Sequence, residues 1–191
     1  MKLSTLLLVS VIVAGCASVP ELKQELAAKN QVTASVSEMQ FRPLRLSENV
    51  TLALDGDQPA FDFPEGRSLY AAWAIPKAQA TRQLKFKTYL STQYLPKANV
   101  LVPSFLFLDD AKQSVALVKT NSLKRDVDFW RGVYFEGEIP VPASASYFVL
   151  FTIDSESPQL YSVSENGHRR LLPHAPAGTV DVKVSALDND R

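Results

Sequence analysis

Cysteine is nearly absent. The 191-residue chain holds one, Cys16, so no disulfide can staple the fold from within. Histidine is almost as scarce: His168 and His174 share one loop, neither in a Ser-His-Asp setting, and no Gly-x-Ser-x-Gly elbow occurs. The seven glycines nowhere form a phosphate-cradling loop, which argues against a nucleotide cofactor. Neither sign of charge is in excess, with 20 basic and 20 acidic residues, so the basic stripe that nucleic acid requires is missing. Nor is there a long hydrophobic run. The longest at the amino terminus, Leu6 to Val13, stops well short of the roughly 20 residues of a membrane span.

What is present begins with that short run. Met1–Lys2 gives a basic start, Leu6 to Val13 an apolar core, and Ala14–Gly15 two small residues before the sole cysteine. This is the layout of an export signal. Val13-Ala-Gly-Cys16 resembles the lipobox of bacterial lipoproteins, which implies cleavage before Cys16 and lipid on its sulfur and amino group. Each buried methylene adds about 0.8 kcal/mol, so two or three long chains hold where one is marginal. With Cys16 committed to lipid, neither a thiolate nucleophile nor a cysteine-bound metal is expected. Ala17 in place of Asp resembles the pattern sorted to the outer membrane. The expected location is therefore the periplasmic face of that membrane.

The chain divides into a signal peptide over 1–15, an acylated cysteine with short helix and tether over 16–40, and a β domain over 41–187. The helix is expected over 18–29: Pro20 and Glu21 suit its first turn, and Leu22 and Leu26 share a face. Beyond it, apolar residues recur with period two. Val50, Leu52 and Leu54 share one face before the Asp55-Gly-Asp57 turn. Leu84, Phe86, Thr88 and Leu90 point inward against Lys85, Lys87 and Tyr89. Val133, Phe135, Gly137, Ile139 and Val141 do so against Tyr134, Glu136 and Glu138, and Val180, Val182 and Val184 against Asp181, Lys183 and Ser185. Residues 68–75 are apolar on both sides, 100–108 almost wholly apolar and 147–153 largely so, and the three read as buried strands, 100–108 covered on both faces. With no helical period after residue 30 and no crossover helices, the expected fold is an antiparallel β-sandwich of about eight strands.

Several of these stretches together resemble a known family. Phe63-Pro-Glu-Gly-Arg-Ser-Leu-Tyr-Ala-Ala-Trp-Ala-Ile-Pro76 leads, followed by Arg82-Gln-Leu-Lys-Phe-Lys-Thr-Tyr-Leu-Ser91 and Leu101-Val-Pro-Ser-Phe-Leu-Phe-Leu-Asp-Asp110. Then come Phe135-Glu-Gly-Glu-Ile-Pro-Val-Pro142, Tyr147-Phe-Val-Leu-Phe-Thr152 and His174-Ala-Pro-Ala-Gly-Thr-Val-Asp-Val-Lys-Val184. In order and spacing they resemble the MalM family of maltose operon periplasmic proteins. The resemblance implies a periplasmic protein associated with maltose or maltodextrin utilisation, of undefined biochemical activity, and carries no catalytic or ligand motif with it. With no catalytic constellation in the residues, the expected function is a non-enzymatic accessory or binding module in maltodextrin transport.

Among individual residues, the two histidines have no carboxylate or cysteine between them and read as loop residues rather than metal ligands. Acidic pairs at Asp55/Asp57, Asp109–Asp110, Asp126/Asp128, Asp154/Glu156 and Asp188/Asp190 lack calcium-loop spacing and read as turns. No cofactor is expected. Aromatics remain, because sugars stack on flat apolar faces. Tyr89 and Tyr134 fall on the outward face of alternating strands and Trp130 in a loop, with Tyr94 in another. Trp73 reads as core. Tyr89, Trp130 and Tyr134 are thus the candidate ligand contacts, for a maltodextrin or for an envelope protein partner. The alternative function is a structural or protein-interaction lipoprotein of the envelope with no sugar ligand.

Overall fold

Period-two alternation only fixes a fold when two apolar faces meet, and here they do. The computed structural model describes residues 18–77, 81–120, 122–152, 160–163 and 167–186. The export signal with Cys16, and the acidic pairs at 154–156 and 188–190, lie outside the described residues. Strands are numbered along the chain. One sheet runs in the order β1 (Val32–Thr33), β4 (Ala60–Phe63), β5 (Gly66–Ala74), β11 (Tyr147–Thr152), β7 (Pro103–Leu108), β8 (Ser114–Lys119), with β2 (Phe41–Pro43) also pairing with β5. The other runs β3 (Asn49–Leu54), β14 (Gly178–Ala186), β6 (Arg82–Tyr89), β10 (Gly132–Val141), β9 (Lys124–Asp128). A separate ribbon joins β12 (Leu160–Val163) to β13 (Arg169–Leu172).

The inward residues of both sheets make one core. Leu52, Leu84, Phe86, Ile139 and the three valines of β14 meet Leu69, Trp73, Phe105, Phe107, Phe148 and Leu150. Trp73 is fully enclosed and stacks on Phe148 at 5.0 Å. The sheet containing β5, β7 and β11 is covered on its other face as well, by a second cluster around Met39, Phe63, Tyr70, Val149 and Phe151. That double cover is why these three strands are apolar on both sides over most of their length. Arg82 is buried beside the crossing from β10 to β11. Its guanidinium donates to the carbonyls of Pro76, Pro142, Ala143 and Ala145 at 3.0–3.2 Å.

The sandwich differs from the expected one in three respects. Short strands raise the number to fourteen among the described residues, and two pairings, β1 with β4 and β2 with β5, are parallel. Residues 30–38 are not a tether: β1 pairs with β4, and Val36 and Met39 cover the outer apolar face of the larger sheet. A polar, unpatterned stretch gave no hint of this because two well-placed apolar side chains suffice to cover a face. The helix α1 (Val19–Ala28) docks rather than frays. Glu21 accepts from the Ser18 amide and hydroxyl at 2.7 and 2.8 Å, closing its first turn. Leu26 packs on the core, and Arg67 donates to the carbonyls of Ala27 and Lys29. No described helix is long and apolar enough to cross a membrane.

Candidate functional site

The outward face of the five-stranded sheet carries the polar members of every alternating strand. Strand register sets them in rows. One row reads Thr51, Asp181, Lys87, Glu136, Lys124 across all five strands. A second reads Asn49, Lys183, Lys85, Glu138, and a third begins Tyr89, Tyr134, Asp126. On this face lies a trough of about 540 Å³, lined mainly by the first two rows together with Ser122. Within it Lys85 pairs with Glu138 at 2.7 Å, and Gln83 donates to the same carboxylate at 2.7 Å. These contacts, Lys85 first, hold the Glu138 carboxyl below the usual range. Lys124 lies 3.5 Å from Glu136. Lys183 stands directly opposite Lys85, a like-charge pairing that an acceptor between them would relieve.

The first and third rows are tied together by a buried knot, Asp181 of the first meeting Tyr89 of the third. Asp181, 5% exposed, accepts from Thr51 Oγ1 at 2.7 Å, Tyr89 Oη at 2.8 Å and Arg131 Nη1 at 2.8 Å. The Arg131 guanidinium also lies 3.6 Å above the Tyr89 ring. Burial, reinforced by Asp181, pushes the Tyr89 phenol up to about 12, so it stays a neutral donor at ordinary pH. Lys87 sits 4.3 Å over the Tyr134 ring.

The expected exposure of Tyr89 and Tyr134 is therefore corrected. Both point to the outward side of the sheet, as alternation requires, yet they are only 7% and 6% exposed. Arg131 folds back over one and Lys87 lies over the other. Neither ring is available as a stacking surface. Trp130 is the opposite case, 88% exposed together with Phe129 at the tip of the β9–β10 hairpin. The structure thus brings Tyr89 and Tyr134 together, 5.8 Å apart, and leaves Trp130 outside the trough. Sequence reasoning missed Asp181 and Arg131. Asp181 occupied a readable outward position, but its cation comes from 50 residues away, and no local pattern announces such a pair.

The histidines flank the ribbon rather than a shared loop: β13 begins after His168, and His174 bridges to Val100. Among the described residues no group of His, Cys, Asp or Glu is arranged to hold a metal ion. Compared with known proteins, the chain matches no protein-family model and no curated protein. Chemically the trough offers ammonium donors and carboxylate acceptors side by side, Lys85 closely paired with Glu138 and Lys124 more loosely with Glu136. Such a surface hydrogen-bonds hydroxyl groups without selecting a net charge.

Proposed function

We propose that this protein is a lipid-anchored, non-enzymatic binding module at the periplasmic face of the outer membrane, an accessory to maltose or maltodextrin transport. The lipobox-like signal and the MalM-like strand series motivate the location and the class. The observation that carries the binding role is the trough. Its lining comes from all five strands and sets ammonium donors among carboxylate acceptors, which suits a neutral, polyhydroxylated chain. Without an exposed aromatic ring in it, affinity rests on hydrogen bonds that compete with water, so binding is weak.

The test is the melting temperature with and without maltose, maltotriose and longer maltodextrins. Ligand at 100 times its dissociation constant adds roughly 2.7 kcal/mol, worth about 2–4 °C in a domain of this size. A dose-dependent rise that disappears in the Lys85→Ala/Glu138→Ala variant supports the reading. No rise at saturating sugar overturns it and leaves the second reading, a protein-interaction lipoprotein without a sugar ligand. The salt bridge already closing one wall of the trough, Lys85 to Glu138, favours that second reading.

A further inference from the structure

Two large rings stand in water at one turn of this protein, and the turn is built to keep them there. Phe129 and Trp130 are each 88% exposed and meet edge to face at 4.9 Å. Asp128 Oδ1 accepts from the amides of Trp130 and Arg131, both at 2.9 Å. The Gln93 side chain spans the far side of the turn, donating to the Arg131 carbonyl at 3.1 Å and accepting from the Val133 amide at 3.3 Å. Gly132 makes this possible: its φ is +78°, and a Cβ there would lie 2.3 Å from the Gln93 amide. Arg131 is fixed in turn on Asp181 and Tyr89. A turn held at both shoulders presents its rings without an ordering cost on binding.

The position of the turn says what it faces. The loop from Ser91 to Asn99 leaves the same end of β6 and carries Tyr94, itself 62% exposed, next to the Gln93 clamp. Pro96–Asn99 and the start of α1, Ser18–Glu21, line one hollow of about 650 Å³. Cys16 is covalently within two residues of Ser18, a reach of at most about 7 Å. The aromatic tip and the point where the chain would leave the bilayer therefore lie at one end of the sandwich.

We propose that the Phe129–Trp130 tip is a second membrane contact, seated in the interfacial zone of the leaflet that holds the lipid on Cys16. This rests on the anchor reading for its location. Trp belongs in that zone because its ring is apolar and its N–H is polar. The hairpin carries no free basic cluster, since Arg131 is paired with Asp181, Lys124 lies by Glu136 and Arg125 is followed by Asp126, so the contact depends on ring burial and not on anionic lipid. Together the tether and the tip fix how the trough is oriented to the membrane, where a tether alone would leave it free to tumble.

The two tryptophans make the test direct, since Trp73 is enclosed and Trp130 is not. The full-length mature protein is reconstituted in phosphatidylethanolamine–phosphatidylglycerol vesicles, with and without brominated acyl chains. The expected result is blue-shifted Trp130 emission quenched by the brominated lipid and insensitive to salt, with Trp130→Phe leaving only unquenched Trp73 emission. Trp130 emission that stays red, open to aqueous acrylamide and unquenched by lipid overturns the proposal. Cross-linking from position 130 to an envelope protein, without lipid quenching, also overturns it. Mass spectrometry of Cys16 reports separately on the anchor. If Cys16 carries no lipid, titrating vesicles into the protein decides the tip alone, with Phe129→Ala/Trp130→Ala expected to weaken binding roughly tenfold or more.

Discussion

At Asp181, one carboxylate closes three contacts that no single strand could make for itself. Asp181→Ala strands the Tyr89 hydroxyl and frees Arg131, and is expected to cost about 2–4 kcal/mol in chemical denaturation. The same knot writes a pH dependence. A tyrosine whose proton is held to about 12 when folded, against the ordinary 10, is protonated in the native state where the unfolded chain has begun to lose it. Its contribution is complete below pH 10 and is lost as the pH rises from there through about 12, a loss of order 2 kcal/mol. Stability measured across that window should fall more steeply in the native protein than in Tyr89→Phe, which removes this titration and leaves every other one in place. Equal slopes would show that neither burial nor Asp181 holds the proton on the phenol.

Glycine decides the geometry of β10 at two points, for different reasons. At Gly132 the positive φ strains any side chain and a Cβ would push the Gln93 amide aside, so Gly132→Ala should cost about 1–2 kcal/mol. It should also speed hydrogen exchange at the amides of Trp130 and Val133, because the Gln93 clamp must open. At Gly137 the backbone is ordinary, but a Cβ would come within 2.5 Å of the Phe86 ring in the core. Gly137→Ala should therefore cost about 1–3 kcal/mol by overpacking, read as a lower denaturation midpoint with an unchanged slope. If Gly137→Ala is neutral, the Phe86 ring is less confined than its burial indicates.

Across the whole molecule, the segment before Phe41 seals the sandwich: α1 seats Leu26 on the core, and Val36 and Met39 cover the outer face of the larger sheet. A chain beginning at Phe41 should melt several degrees lower than one beginning at Ala17, and should bind a hydrophobic dye through the uncovered cluster around Tyr70 and Val149. Equal melting would return this segment to the role of a tether. The sequence by itself determined the layer architecture, because period two with one apolar face admits no other burial and the strands apolar on both sides must be covered twice. It also determined which side of each strand faces out, down to Tyr89, Tyr134 and Asp181. Whether an outward side chain meets solvent was decided by tertiary structure alone. Arg131 reaches Asp181 across 50 residues and closes over Tyr89, while Phe129 and Trp130, adjacent to it in sequence, are left in the open. Alternation records direction from the sheet, a property of the backbone. Exposure depends on what distant segments lay across it.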